Sequence, residues 1–195
     1  MYHHVNSDRC SNDLAIFEEH LKYIKNNFKT IFPGEEITSK SVCLTFDDAY
    51  ADFYFLIFPL LKKYNLKALL AIPSKYILDD TDEEAENRMN FEHNDLFENY
   101  QKATFCTYKE LKQMQESGLV VFGSHSHSHI DLTQKQVDLD LELRVSKQIL
   151  EYKLNTKIDS FVFPFGKYNQ DILKINYKNF NTVFFIYFSS FYFHF

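Results

Sequence analysis

The sequence predicts a single α/β domain built on a parallel sheet, either open or closed into a barrel. A chain of 195 residues with 45% hydrophobic residues can form one substantial core. Short apolar runs alternate with amphipathic segments along the chain, as strands and helices do in α/β domains. The first run, residues 42–46, is followed by a helical pattern and a second apolar run. This order predicts a βαβ unit with parallel strands.

Composition and charge argue against several classes of protein. The formal charge of −6 and the isoelectric point near 5.7 disfavour a surface for nucleic acid or anionic membranes, and suit a neutral or cationic substrate. Three distant cysteines, Cys10, Cys43 and Cys106, predict neither a disulfide framework nor a thiolate zinc site. No apolar run reaches eighteen residues, so no transmembrane segment is expected. No basic and apolar signal peptide precedes Tyr2, so we expect a cytoplasmic protein or a start inside a longer precursor.

The first half of the chain contains recognisable helical and extended patterns. The expected elements are a helix at 12–28, strands at 42–46 and 68–72, and a crossover helix at 53–64. Pro33 and Gly34 separate the first helix from the first strand. Residues 79–104 are acidic, and we interpret them as a solvated insertion over one face of the sheet or barrel.

The second half continues the alternation. Thr107 and Glu110 form a capping-box pattern that begins a helix, and Gly118 ends it. Thr133 and Gln136 repeat the pattern, which predicts the start of a long crossover helix. The residues expected to share one face of this helix are Val137, Leu141, Val145, Leu150 and Tyr152. The other expected elements are strands at 119–122 and 161–163, a turn at 164–166, a short helix at 171–177 and a final apolar run at 182–188.

Two adjacent carboxylates, Asp47 and Asp48, end the first predicted strand. They repel each other unless something offsets their charge. One solution is a metal ion held by one aspartate, with the other free to act as a base. A second interpretation is that they cap the following helix, and for these two residues alone the cap is favoured.

Three histidines, His125, His127 and His129, alternate with serines after a predicted strand. On an extended chain all three would face one side, whereas on a turn or helix His125 and His129 converge and His127 points away. Neutral imidazoles suit zinc and similar ions, so metal ligation is favoured over an ordinary polar loop. Two imidazoles and one carboxylate from neighbouring strand ends would form a catalytic three-ligand site. The spare aspartate could take a proton from water there.

These motifs resemble a known family. Thr45-Phe46-Asp47-Asp48, His125-Ser126-x-x-His129-x-x-Leu132 and Phe163-Pro164-Phe165-Gly166 are similar, in this order, to the first three motifs of the polysaccharide deacetylases, the NodB-homology carbohydrate esterases of family 4. The opening Tyr2-His3-x-Val5 and the segment Phe165-Gly166-x-Tyr168-Asn169 resemble the branch that acts on poly-N-acetylglucosamine. The resemblance spans essentially the whole chain.

The resemblance implies a fold and a cofactor. The fold would be a distorted (β/α) barrel of the NodB-homology type, formed by residues 1–195 as one domain and incomplete at its C-terminus. A divalent metal would be held by Asp48, His125 and His129. Zn²⁺ is the first candidate, with Co²⁺, Ni²⁺ and Fe²⁺ as alternatives.

The resemblance also implies a reaction. Asp47 would be the general base, the metal and the backbone amide of Phe165 would stabilise the oxyanion, and Pro164 and Tyr168 would contact the substrate. The reaction would be hydrolysis of N-acetyl groups from an N-acetylglucosamine-containing polysaccharide, in the periplasm or at the surface of a bacterium. Two alternatives remain open: a catalytically impaired glycan-binding homologue, and an O-acetyl esterase or small-substrate amidohydrolase on the same scaffold.

Three departures from the family pattern bear on activity. Ala49 stands where glycine is usual, which matters if the backbone there needs a positive φ. The arginine that many members carry before the Pro-Phe-Gly turn is absent. The late motif that supplies a histidine general acid is not recognisable, and His194 is not expected to replace it. The aromatic end of the chain from Thr182 therefore suggests a truncated or frameshifted product.

The other histidines receive weaker assignments. His3 and His4 are assigned with equal weight to the site and to a frayed start of the chain. His20 and His93 are assigned to the surface. His127 is expected to face solvent or to support the two ligand histidines.

Overall fold

The computed structural model describes residues 1–37 and 40–184 of the chain. Its strands are β1 (Lys29–Thr30), β2 (Ser41–Val42), β3 (Leu44–Phe46), β4 (Ala68–Ile72), β5 (Val120–Ser124), β6 (Ser160–Val162) and β7 (Thr182–Phe184). β3 to β7 form one wholly parallel sheet in chain order, curled into half of a barrel, and β1 pairs with β2 separately. The parallel α/β class predicted from the sequence is confirmed.

Helices precede or connect the strands. They are α1 (Leu14–Asn27), α2 (Phe58–Tyr64), α3 (Ala85–Met89), α4 (Tyr108–Glu116), α5 (Ser146–Leu154) and α6 (Gln170–Asn179). Two π-helical segments, Phe53–Ile57 and Asp140–Val145, lead into α2 and α5. Within residues 1–37 and 40–184, no helix has the length and apolar character needed to cross a bilayer. Because each crossover returns the chain to the same end of the sheet, all five strands present their carboxyl ends at one edge.

Both faces of the sheet are covered by packed side chains. β4 is buried at all five positions. Successive side chains of a strand point to opposite faces. Leu70 and Ile72 therefore join the main core, while Leu69 and Ala71 pack with Val162 on the other face. A strand buried on both faces has a continuous apolar sequence, which explains why this one was recognisable without alternation.

Two predicted features of the long crossover helix are wrong. Thr133 does not begin the helix, because its amide and hydroxyl both donate to Asp131 Oδ1 in a turn. The helix begins after Asp138, whose carboxylate accepts hydrogen bonds from two amides of the next turn. The π-helical segment then shifts the helical phase. Tyr152, which was predicted to share a face with Leu150, is consequently 85% exposed, whereas Leu150 is fully buried.

Other predicted elements are present with changed bounds. The capping box of Thr107 and Glu110 is formed in full. The first helix is capped by Asp13. The apolar run at 42–46 is divided at Cys43 between two sheets. Residues 182–184 of the predicted final run form β7, while its remainder and His194 lie outside the described residues.

The acidic segment at 79–104 contains α3 and short 3₁₀ turns, and one buried cation anchors it. Arg88 is 2% exposed and donates to both carboxylate oxygens of Glu110, at 2.6 and 2.9 Å. It also donates to the carbonyls of Ala103 and Phe105. The segment is therefore packed against α4 on its inner side, in addition to carrying acidic surface residues.

Candidate metal centre and active site

Asp47 and Asp48 lie directly after β3, at the carboxyl edge of the sheet. The backbone turns sharply there, because Asp48 and Ala49 have φ values of 72° and 58°. This left-handed region favours glycine and costs other residues on the order of 1–2 kcal/mol each. The alanine that replaces the usual glycine therefore occupies a strained position. The turn places both carboxylates inside the protein, where they are 1% and 2% exposed.

Asp48, His125 and His129 form a cluster that could hold a metal ion. The Nε2 atoms of His125 and His129 lie 3.5 and 3.1 Å from Asp48 Oδ1. The three candidate ligand atoms all lie within 4.8 Å of one another. Asp48 Oδ1 is buried yet accepts no hydrogen bond. A buried carboxylate oxygen without a donor is costly, and a cation shared with the two imidazoles would satisfy it.

The tautomer of His125 fits a metal ligand. Its Nδ1 lies 2.8 Å from the carbonyl oxygen of Val162, which can only accept, so Nδ1 carries the proton. The neutral ring then presents the Nε2 lone pair to Asp48. Burial, with the nearby His129, lowers the pKa of His125 to about 3, so the ring stays neutral at physiological pH. Its lone pair and the carboxylate of Asp48 are both electron donors that face each other, so a divalent metal between them would be bound by both.

The loop after β5 explains why two imidazoles converge and the third does not. Its backbone is irregular, with non-glycine residues at positive φ. Glu142 Oε2 accepts hydrogen bonds from two loop amides, at 2.9 and 2.8 Å. The ring of His127 turns away, and its Nδ1 lies 2.9 Å from Ser74 Oγ. Of the two arrangements considered for the three histidines, the structure contains the turn, in which His125 and His129 converge.

Asp47 has no comparable partners. Neither of its carboxylate oxygens accepts a hydrogen bond, so it does not cap the following helix, and Oδ2 lies 4.0 Å from His3 Nε2. Burial and the charge of Asp48 raise the pKa of Asp47 well above its ordinary value. Burial would also raise the pKa of Asp48, but the imidazoles of His129, His125 and His3 outweigh it and lower that pKa. Asp48 therefore carries the charge, while Asp47 has a raised affinity for a proton.

These groups line a cleft of about 700 Å³, a volume typical of small-molecule sites. The lining residues of this cleft include two groups on different parts of the chain. The sheet wall comes from loops at the carboxyl edge of the sheet and consists of Asp47, Asp48, His125, His129 and Phe165. The outer wall comes from the N-terminal segment and the acidic segment and consists of Met1, His3, Arg9, Cys10, His93, Asn94 and Phe97.

Two aromatic rings hold the ring of His129. Phe97 stacks on it with ring centroids 4.8 Å apart and planes 21° apart. Phe165 contacts it at the same centroid distance with planes 59° apart. Phe165 has a φ of 57° and is 55% exposed, so its ring faces the open cleft. The acidic segment and the Pro-Phe-Gly turn therefore meet at a candidate metal ligand.

The structure brings together five of the predicted site residues, namely the sheet wall. Pro164 is buried, and Tyr168 packs its ring against Phe163 with centroids 5.4 Å apart. Neither Pro164 nor Tyr168 belongs to the lining of the described cleft. Their contacts with substrate, like the roles of the other site residues, stay predictions.

From the sequence, one histidine of the outer wall was assigned to the surface, and the other was left open between the site and a frayed start of the chain. His93, expected on the surface, lines the cleft, and so does His3. His4 is 2% exposed and points elsewhere. Side chains alternate along an extended chain, so only one of His3 and His4 can face the cleft. The bridge between Tyr2 and Phe46 decides which one, and it is a tertiary contact that no local pattern predicts.

Comparisons with known proteins agree with this geometry. The family model described as polysaccharide deacetylase matches residues 34–182. YxkH of Bacillus subtilis (strain 168), which carries the name of a polysaccharide deacetylase, is 27% identical over 188 residues, or 89% of this chain and 58% of YxkH. The poly-β-1,6-N-acetyl-D-glucosamine N-deacetylase of Escherichia coli (strain K12) is 29% identical over 93 residues, or 48% of this chain and 13% of that protein.

A solved structure is similar as well. The deacetylase PplD of Streptococcus pyogenes, in complex with acetate, has a TM-score of 0.66 and 27% identity, covering 86% of this chain and 70% of that one. The chain spans less than two thirds of the length of the curated relatives it matches. Because the family match covers most of the chain and includes the whole Asp-His-His cluster, this chain belongs to the polysaccharide deacetylase family.

Proposed function

We propose that this protein is a metal-dependent hydrolase that removes N-acetyl groups from an N-acetylglucosamine-containing polysaccharide. One observation carries the proposal: Asp48 Oδ1, buried and without a donor, faces two imidazole Nε2 atoms beside the unpaired carboxylate of Asp47. Three protein ligands with open positions are typical of catalytic metal sites, whereas structural sites are closed. Zn²⁺ suits these ligands, and Co²⁺, Ni²⁺ and Fe²⁺ are alternatives.

In this proposal Asp48, His125 and His129 hold the metal, which would supply Lewis acidity toward the acetamide carbonyl and toward water. Asp47 takes the proton of the water that attacks the carbonyl carbon. Its raised pKa strengthens it as a base. The backbone N–H of Phe165 donates to the oxygen of the tetrahedral intermediate. Proton removal and charge stabilisation are thus assigned to different groups of the sheet wall.

The leaving nitrogen needs a proton before the C–N bond breaks, and His3 fits this role. It faces the cleft beside Asp47, with 4.0 Å between Nε2 and Oδ2. At this separation the two atoms are not hydrogen-bonded, so we expect them to approach within hydrogen-bond distance in the substrate complex, where His3 can take up the proton that Asp47 has removed from water. Burial lowers the pKa of His3, although Asp48 opposes this shift, so the ring releases a proton readily once it has gained one. His3 would fill the role that the missing late motif leaves unassigned.

Several features support a neutral N-acetylated glycan as substrate. The Escherichia coli relative is named for its action on poly-β-1,6-N-acetyl-D-glucosamine, and PplD was solved with acetate, the product expected here. Phe97 and Phe165 offer aromatic faces beside the ligands, on which the apolar face of a sugar ring can stack. The corresponding location would be the periplasm or the cell surface of a bacterium.

The test is acetate release from N-acetylglucosamine oligomers by the metal-loaded protein, with acetylated xylan as the second substrate. Asp47→Asn should lower acetate release by about 100-fold or more, because an amide cannot accept the proton. Metal content, measured by elemental analysis, should stay unchanged. Asp138→Asn is the matched control, since this aspartate caps the crossover helix and is not part of the cleft lining.

Three other results of the acetate-release assay would contradict the proposal, each in a different way. Full activity of Asp47→Asn would overturn the mechanism. Acetate release from xylan alone would replace the N-deacetylase with an O-acetyl esterase. Metal and glycan binding by the wild-type protein without turnover would indicate the catalytically impaired homologue.

A further inference from the structure

A second buried polar cluster adjoins the cleft and consists of Asp52, His4 and the backbone of Val5. Asp52 Oδ2 accepts a hydrogen bond from the Val5 amide at 2.8 Å and lies 3.3 Å from His4 Nδ1. The side chains of both Asp52 and His4 are 3% exposed. Asp52 lies at the start of the helical segment that follows the aspartate turn, whereas both of its partners belong to the N-terminal segment. The cluster therefore ties this segment to the element that carries Asp47.

Anchors lie on both sides of His3, and this cluster belongs to those on the following side, beside the backbone bonds of His4 with Cys10 and Asn12. On the preceding side, the Tyr2 amide donates to the Thr45 carbonyl at 2.9 Å, and the Asp47 amide donates to the Tyr2 carbonyl at 3.0 Å. On the following side, Asp52 holds the next two residues of the chain. The Tyr2 and Asp52 anchors lead to residues near the aspartate pair, so together they fix the backbone of His3 relative to Asp47.

The cluster also favours the register that places His3 in the cleft. His3 and His4 point to opposite sides of an extended chain. The His4 ring stacks on Tyr50, with centroids 3.9 Å apart and planes 14° apart. A shift by one residue would bring His4 into the cleft and leave the Asp52 carboxylate buried without these donors. Such a carboxylate is costly, so the observed register is favoured.

We propose that Asp52 is a positioning residue that holds His3 within reach of Asp47 by anchoring Val5 and His4. Only the catalytic consequence rests on the proposed function, because the anchoring is a property of the fold. The inference gives the N-terminal segment a defined part in the site, although no regular strand or helix contains it.

The first measurement is amide hydrogen exchange, which tests the anchoring without an activity assay. In metal-loaded Asp52→Ala, amide hydrogen exchange of residues 2–5 should become about 10-fold faster or more, while exchange of residues 125–129 and the metal content stay unchanged. Asp13→Ala is the matched control, because Asp13 also accepts two backbone amides, at 2.9 and 3.1 Å, but caps α1. Exchange at residues 2–5 that is unchanged in Asp52→Ala would overturn the proposal.

Acetate release provides the second measurement. Asp52→Ala should lower kcat by about 10- to 100-fold with little change in KM, since a small misplacement of a catalytic group has effects of this size. In a His3→Ala background it should cause no further loss. A further loss of the same size would show that Asp52 acts elsewhere and would overturn the proposal.

Two further outcomes, an inactive wild-type protein and an unfolded Asp52→Ala variant, also have a defined interpretation. If the wild-type protein releases no acetate, the proposed function fails, but hydrogen exchange still decides whether Asp52 anchors the segment. If Asp52→Ala does not fold, Asp52→Asn takes its place. It keeps an acceptor for Val5 but loses the charge beside His4, so a smaller change in the same direction is expected.

Discussion

The two walls of the cleft differ in what holds them. The loops of the sheet wall follow β3, β5 and β6, and parallel pairing brings these strand ends to one edge. Within residues 1–37 and 40–184, no regular strand contains the outer wall, which depends on the bridge between Tyr2 and Phe46 and on buried polar anchors such as Arg88 and Asp52. The sheet backbone therefore determines where the candidate metal ligands lie, whereas a few side chains determine how the cleft is completed.

The largest effect is expected from removing a ligand of the sheet wall. Asp48→Ala should lower acetate release by about 1,000-fold or more, because the metal and the general base depend on the same turn. Metal content by elemental analysis should fall with it, while far-ultraviolet circular dichroism stays unchanged. His127→Ala is the control, since this ring points away from the other two imidazoles. Full metal retention in Asp48→Ala would show that the sheet wall does not hold the metal, and the two walls would then not differ in this respect.

The next effect concerns the anchor of the outer wall. Arg88→Met leaves the Glu110 carboxylate buried without its cation and should lower the free energy of unfolding by about 3–5 kcal/mol. Urea denaturation measures this loss. Arg144→Met removes an exposed ion pair with Asp140 and should cost less than about 1 kcal/mol. Equal losses in the two variants would show that the acidic segment does not depend on Arg88.

A smaller loss is expected at His3 than at Asp48. His3→Ala should lower kcat by about 100-fold, because the leaving nitrogen loses its proton donor, while metal content stays unchanged. His93→Ala, the other imidazole of the outer wall, should lower kcat much less. Steady-state kinetics of both variants would sharpen the comparison. Equal decreases in kcat in His3→Ala and His93→Ala would show that His3 is not the specific proton donor and that both imidazoles affect the reaction only through the polarity of the cleft.

The smallest effect separates a real helix cap from an apparent one. Thr107→Ala should lower the free energy of unfolding by about 1 kcal/mol, because the capping box is formed in full. Thr133→Ala should change it by less than about 0.5 kcal/mol, since Thr133 caps no helix. Urea denaturation of both variants tests this, and kcat should stay unchanged in each. A larger loss at Thr133 would contradict the observed helix start.

The sheet wall could be predicted because its signals are local. A buried strand has a continuous apolar sequence, and polar residues directly after it lie at the edge where all strand ends meet. The order of the predicted strands alone therefore indicated that Asp47 and His125 lie together at the carboxyl edge of the sheet. The family resemblance added the division of roles between Asp47 and Asp48, which no spacing indicates.

The outer wall could not be predicted because its contacts join distant parts of the chain. The choice between His3 and His4 depends on the bridge between Tyr2 and Phe46 and on Asp52. The position of Phe97 depends on a segment anchored by Arg88. A local pattern also misled where an acidic side chain competed for a threonine, as Asp131 does for Thr133. Tertiary hydrogen bonds decided the first two of these cases, and a local hydrogen bond decided the third.

The strand order has a consequence for assembly. The ligands come from β3 and β5, and β4 lies between these strands in the sheet. No cation can bridge Asp48 and His125 until all three strands have paired, so the ion cannot act as a template for early folding. Loading should therefore slow unfolding while leaving the folding rate almost unchanged. Unlike small zinc modules that collapse only around their ion, the newly made chain would fold first and capture its ion afterwards.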